Sequence, residues 1–236
     1  MASVKDDRGY NQGFKPSKAL TVRTMRRCNW MISQMDLSRA MDILEIGCGT
    51  GELSDIIAGK TSHNVLGTDI CVPFIDQARL NYNHPNLKFQ VLDFHYPQQL
   101  GDMKFDYIVG NGILHHLYTN MDNSIAALRD LLKENGKILF IEPNIYNPYC
   151  FVIFRTTSSL RKIANLEPFE MAFSKRYITR ILKKHNYSKI EVEYKDFLLP
   201  NTPVFLINIT IFLGAVLEKI PLMKYLSQSI FISAKK

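Results

Sequence analysis

Glu45, Gly47, Gly49 and Gly51 alternate through "ILEIGCGTGEL" (residues 43–53), directly after an apolar run. Glycines at that density let backbone N–H groups approach a ligand that side chains would exclude. A helix starting there would turn its unpaired N–H groups the same way. Phosphates, dinucleotides and nucleoside cofactors are all candidate guests. The dinucleotide fingerprint G-x-G-x-x-G fails because Glu52 stands at the third glycine. The phosphate-binding P-loop pattern fails as well, since no Lys-Ser/Thr pair follows. An acid at Glu45 would repel a pyrophosphate and suit a cationic ligand.

Further residues with chemical potential follow at the ends of later apolar runs. Asp69 closes "VLGTD", Asp93 follows in "VLDFHYP", and Asn111, His115 and His116 lie in "YIVGNGILHHL". Glu142 ends the run in "FIEPNIYNP", with Asn144, Tyr146 and Tyr149 beyond it. A carboxylate accepts two hydrogen bonds at once, which suits a vicinal diol. An imidazole titrates near neutrality and can take a proton from an acceptor. Taken singly, Asp69 or Asp93 would read as a turn residue or helix cap, and one histidine of the pair as packing. No metal is expected, because the chain near His115 and His116 lacks a partner set of Asp, Glu or Cys.

The elements that must position these residues are legible as alternating patterns. Strand-like runs fall at 42–46, 64–68, 87–92, 105–109 and 137–141, with helical spacing between them, as in Ile125/Leu128/Leu131/Leu132. Short apolar strands alternating with helices indicate βαβ units around a parallel sheet. Glu134-Asn135-Gly136 reads as a helix stop before the fifth strand. Residues 147–170 carry prolines, aromatics and bases without a strand signal and read as an inserted cap. Ser174 is placed to N-cap a helix bearing Tyr177, Ile178, Ile181 and Leu182 on one face, and "QSIFISAKK" reads as a closing strand.

With these motifs in order, Glu45-Ile46-Gly47-Cys48-Gly49-Thr50-Gly51 resembles motif I of the class I S-adenosylmethionine-dependent methyltransferases. The resemblance is strong over residues 40–142 and weak elsewhere. It implies an α/β, Rossmann-like seven-stranded, mostly parallel sheet with helices on both faces. It implies one domain over 1–236, with N-terminal lid helices (1–38), a cofactor-binding core (39–142), a substrate cap (143–173) and a C-terminal helix–strand completion (174–236). The implied cofactor is S-adenosylmethionine, with S-adenosylhomocysteine as product. By that resemblance Gly47, Cys48 and Gly49 line the methionine part, Asp69 takes the ribose hydroxyls and Ile70 packs on adenine. Asp93 accepts from the adenine amino group with Phe94 beside the ring, Asn111 contacts the methionine end, and Tyr10 in "RGYNQGF" covers the cofactor. His115, His116 and Glu142 are the candidate catalytic residues.

The acceptor is read from what remains. The chain's 236 residues carry a net charge of +7. Its centre is acidic, with eight bases against fourteen acids over 31–150, and residues 151–190 are basic, with nine bases against two acids. A basic cap with Arg155, Arg161 and Lys162 suits an anionic acceptor. No [ND]-P-P-[YFW] follows the fourth strand, no Pro-Cys nucleophile is present, and no RNA-binding signature is appended, all of which argue against nucleic acid. The expected reaction is methyl transfer to a small-molecule acceptor, at a hydroxyl oxygen of an anionic or partly apolar metabolite. An RNA or protein methyltransferase, or a cofactor-binding module without catalysis, are the alternatives. Residues 197–217 carry no charge. They read as a buried or capping helix, with peripheral membrane or apolar-substrate contact near 203–217 left open. Four scattered cysteines and a polar N-terminus suggest a cytoplasmic protein with reduced thiols.

Overall fold

The computed structural model describes residues 16–163, 166 and 170–236. Tyr10 and residues 1–15 of the expected lid lie outside them. Helix α1 (Lys18–Ser33) starts where the Ser17 hydroxyl accepts from Leu20 N at 3.0 Å. There follow β1 (Asp42–Ile46), α2 (Glu52–Lys60), β2 (Asn64–Asp69), α3 (Val72–Asn81), β3 (Leu87–Val91), β4 (Phe105–Asn111), α4 (Met121–Leu131) and β5 (Leu132–Pro143). The segment expected to form a cap supplies α5 (Pro148–Ile153) and α6 (Leu160–Ile163). The chain closes with α7 (Lys175–Lys184), β6 (Ser188–Lys195), α8 (Ile207–Leu217) and β7 (Ser229–Lys235).

The seven strands form one sheet in the order β3-β2-β1-β4-β5-β7-β6, with β1 to β5 parallel and β7 antiparallel to both its neighbours. Alternation along the strands divides the core between two faces. Leu44, Ile108 and Phe140 pack with Leu128 of α4 and Ile181 of α7, whereas Ile43, Val109 and Ile141 pack with Met31 of α1 and Ile57 of α2. Burying a side chain as completely as Phe140 contributes about 1.5–3 kcal/mol. Ser174 caps α7 as expected, accepting from Tyr177 N at 3.1 Å.

Two sequence expectations need correction. Helix α4 ends at Leu131 and not at Glu134–Gly136, because buried Leu132 already pairs with Phe105 in the sheet. The Asn135 left-handed turn (φ 69°) therefore lies inside β5, beside a register shift. The uncharged helix is not buried either. Only Ile207 and Gly214 of α8 are enclosed, and its other apolar side chains are largely exposed.

Candidate active site

The sheet's carboxyl ends open on one cavity of about 1050 Å³. Its wall is built from the turn after β1. Cys48 N donates to Thr68 O at 2.9 Å and Thr68 Oγ1 donates to Glu45 O at 2.8 Å, which ties that turn to β2. Gly47 has φ +65°, and a Cβ there would stand 2.6 Å from Ile113 Cδ1. Gly49 has φ +55°, but a Cβ there would meet nothing within 4 Å. Its open side belongs to the cavity. Gly47 is thus demanded by the protein's own packing, and Gly49 leaves room for a guest.

Glu45, Gly47, Cys48, Gly49, Asp69, Ile70, Asp93, Phe94 and Asn111 all line this cavity. Asp69 is fixed at its floor: Oδ2 accepts from Gly49 N and Oδ1 from Cys71 N, each at 2.9 Å. Asp93 Oδ1 accepts from His95 N at 2.9 Å and lies 2.8 Å from His95 Nδ1. This donor and acceptor set fits a nucleoside with an amino-acid end, and it includes no phosphate clamp.

Glu45 differs from the standing anion expected of it. It is 2% exposed and accepts from Ser54 Oγ. Burial pushes its carboxyl up to about 8, against the Ser54 hydrogen bond and with repulsion from Glu52 and Asp69. The acid therefore holds its proton near neutrality in the ligand-free protein. Burial likewise raises the Cys48 thiol well above its ordinary range, so this cysteine contributes shape and a backbone amide.

Asn111 is held by a residue that sequence patterning missed. Arg27 Nη1 donates to Asn111 Oδ1 at 2.8 Å, while Arg27 Nε and Nη2 donate to Asp196 Oδ2 at 2.9 and 2.6 Å. Arg23 Nε reaches the same oxygen at 2.7 Å. Burial and the neighbouring Arg23 bring Arg27 down to about 10, against Asp196, so it remains a cation at neutral pH. The only signal for Arg27 in the sequence was its place in a basic N-terminal stretch.

Two imidazole–carboxylate pairs stand after β4. Glu142 is 1% exposed and does not line the cavity. Its Oε1 accepts from Ile113 N at 3.0 Å and Leu114 N at 2.8 Å; Oε2 lies 3.3 Å from His115 N and 2.9 Å from His115 Nδ1. Both oxygens are engaged in holding the loop, so this carboxylate does not face an acceptor as its strand-end position suggested. His116 does line the cavity, and its Nδ1 lies 2.9 Å from Glu170 Oε1. The two rings stand 4.1 Å apart between centroids. Candidate ligand atoms of His115, His116 and Glu170 all lie within 4.8 Å of one another, so the carboxylate partner absent from the nearby chain is supplied by the cap. No motif surrounds Glu170, and nothing in the sequence marked it.

Other cap residues fall elsewhere. Asn144 is buried and donates to Tyr225 O and Ser227 O, Tyr149 is exposed, and Tyr146 lines a second cavity. Arg161 is buried, with Nη1 donating to Phe154 O at 2.8 Å, so it braces the cap and does not present a surface charge.

This seven-stranded fold is shared with solved S-adenosylmethionine-dependent methyltransferases. Residues 44–138 match the family described as "Methyltransferase domain". A malonyl-[acyl-carrier protein] O-methyltransferase of Acetivibrio thermocellus is 25% identical over 134 residues, covering 56% of this chain and 46% of that protein. Probable polyketide synthase 42 of Dictyostelium discoideum is 29% identical over 133 residues, covering 48% of this chain and 5% of that protein. The chain thus spans less than half the length of these curated relatives. Among solved structures, a SAM-dependent methyltransferase from Archaeoglobus fulgidus shares the fold with TM-score 0.64 and 17% identity, covering 92% of this chain and 94% of that one. Phosphoethanolamine N-methyltransferase 2 of Haemonchus contortus, in complex with S-adenosyl-L-methionine, has TM-score 0.63 and 17% identity over 90% of this chain and 52% of that one.

Proposed function

We propose that the chain transfers a methyl group from S-adenosylmethionine to an oxygen of a small, anionic or partly apolar acceptor. The observation that carries this reading is the juxtaposition of the cavity at the strand ends with two carboxylate-bound histidines, one of them in the cavity wall. In this reading Asp69 and Asp93 hold the nucleoside with Ile70 and Phe94 against its base, and Gly47–Gly49 and Asn111 hold the amino-acid end. When bound, the cofactor supplies an electrophilic methyl group on a sulfonium, a good leaving group. The protein's work is then alignment and, for a hydroxyl acceptor, proton removal.

An imidazole bonded to a carboxylate through Nδ1 presents Nε2 as a proton acceptor. His115 is held in this way by Glu142 and His116 by Glu170. His116, which lines the cavity, acts as the base, and the His115–Glu142 pair positions the loop. The named relatives support an acyl or polyketide-like acceptor over RNA or protein. The chain works as one domain, with residues 143–173 as the acceptor cap. Four free, buried thiols support a reducing, cytoplasmic setting.

The test is formation of S-adenosylhomocysteine from S-adenosylmethionine with pooled small-molecule acceptors. His116→Ala should lower kcat about 10²–10⁴-fold, with cofactor affinity kept. Cofactor binding without turnover on any acceptor would leave a binding module. Binding to RNA with a steep salt dependence would favour a nucleic-acid substrate.

A further inference from the structure

Residues 197–217 hold no charged side chain, and α8 within them uses little of its apolar surface for folding. One edge seats on α1, where Ile207 joins Ala19 and Leu198, with Val22 and Ile211 alongside. The remainder points outward: Phe205 is 78% exposed, Phe212 69% and Leu222 79%, with Ile209, Leu213 and Val216 between them. A contiguous exposed apolar surface of this kind marks a contact site. The helix has 11 residues, roughly 16 Å at 1.5 Å per residue, against a hydrocarbon core of about 30 Å. No helix among the described residues is long and apolar enough to cross a membrane.

What covers this surface is indicated by its neighbour. The chain leaves α8 through Lys219 and runs, at Lys224 and Tyr225, into the wall of a second cavity of about 1130 Å³. Helix α7 contributes Lys175, Arg176, Arg180 and Lys183 to that wall, and none of the four has an ion-pair partner among the described residues. The acids of the same wall are engaged: Glu193 pairs with Lys195 at 2.8 Å, and Glu218 Oε1 accepts from Asp196 N at 2.9 Å. Three tyrosines complete it, with Tyr194 and Tyr225 at 4.8 Å and Tyr146 and Tyr225 at 5.9 Å between ring centroids. Uncompensated bases and amphipathic tyrosines beside an exposed apolar helix match the layers of an anionic bilayer surface: phosphates, the interfacial zone and acyl chains. A protein partner would need the apolar face but has no comparable call on the basic cavity.

We propose that α8 and the segment after it dock this protein on anionic membranes as an interfacial element, with the basic cavity taking lipid phosphate. Ser17 Oγ donates to Pro200 O, and Ser17 and Leu20 line the cofactor cavity, so docking brings the rim of that cavity to the membrane side. The proposal concerns binding and does not depend on the identity of the methyl acceptor.

The test is flotation of the intact protein with vesicles of equal parts phosphatidylglycerol and phosphatidylcholine, against phosphatidylcholine alone. Binding is expected to the anionic vesicles, weakened about tenfold or more by high salt, by Phe205→Ser with Phe212→Ser, and by Arg180→Glu with Lys183→Glu. All four positions are exposed, so the folded state should survive, and an unchanged Tm checks that. As a second readout, Phe212→Trp should gain emission that shifts to the blue on anionic vesicles and is quenched by brominated acyl chains. Absence of binding to the anionic vesicles, or binding indifferent to the phenylalanine pair, overturns the proposal. So does self-association that these phenylalanines alone control in protein that ignores vesicles, which would mean that a second copy covers the helix.

Discussion

Arg27 Nη1 lies 2.8 Å from Asn111 Oδ1, and this contact determines which face of the Asn111 amide the cofactor cavity meets. Arginine has donors only, so the atom it holds must be the amide oxygen. The Nδ2 amino group is what remains to be offered to the cavity, and it can pair with a carboxylate and not with an ammonium. Asn111→Asp should therefore weaken S-adenosylmethionine binding about 10- to 100-fold, the cost of exchanging a donor for a like charge, with little loss of Tm. Arg27→Ala should instead destabilise the fold by about 1–3 kcal/mol, because buried Asp196 loses one of its two cationic partners and keeps Arg23. Denaturant titration and calorimetric binding on both variants separate the two effects.

Glu45 predicts a proton released on cofactor binding. Its folded carboxyl is raised to about 8 from an ordinary value of 4.5, chiefly by burial. A sulfonium and an ammonium brought into the same cavity would favour the anion. At pH 7 the binding enthalpy of S-adenosylmethionine should vary with the ionisation heat of the buffer, in the sense of proton release. S-adenosylhomocysteine, lacking the sulfonium charge, should release less. Equal, buffer-independent enthalpies for both ligands would refute this role.

The same carboxyl sets a direction for stability in the ligand-free protein. Between about 4.5 and 8 the folded state keeps a proton that the unfolded chain has lost, so Glu45's contribution to stability falls as pH rises through that window. Glu45→Gln should flatten the decline of Tm between pH 5 and 8. A pH dependence identical to wild type would count against it.

Gly49 and Gly47 should respond differently to the same small change. Gly49→Ala meets no atom within 4 Å and pays only for its left-handed backbone, about 1–2 kcal/mol, yet its methyl enters the cavity. It should fold and bind cofactor at least tenfold more weakly. Gly47→Ala pushes a methyl to within 2.6 Å of Ile113 Cδ1 and should lower Tm more. Thermal melts with and without S-adenosylmethionine read both outcomes.

Glu142→Ala should act through the backbone. It strips acceptors from Ile113 N and Leu114 N and a partner from His115, all at a buried site. Leaving such donors unpaired costs about 1–3 kcal/mol each. Hydrogen exchange at residues 113–115 should accelerate well beyond exchange in β1, and equal protection in the variant would argue that the carboxylate does not hold the loop.

The positions of the first five strands and the residues at their ends could be read because they are local. A strand followed by a glycine turn fixes the direction of Gly47–Gly51, and an acid at the end of the next strand lands beside it, where Asp69 meets Gly49 N. The Ser174 cap and the closing strand were legible for the same reason. Glu134–Gly136 misled because a local stop signal yielded to the burial of Leu132. The uncharged stretch through α8 misled in the opposite way, since apolar composition states what would prefer burial but not whether the fold supplies a cover.

Spacing along the chain marked the alternating strands and helices and put Gly47, Asp69, Asp93 and Asn111 at or just after the ends of four successive strands, and resemblance supplied the seven-stranded sheet and the expected methyl donor. Tertiary structure alone decided the rest. It brought Asp196 to Arg27 across 169 positions, paired His116 with Glu170, turned Glu142 inward and left α8 outside. Those contacts join segments whose patterns are independent of one another. Only packing in three dimensions determines which buried charge finds which partner.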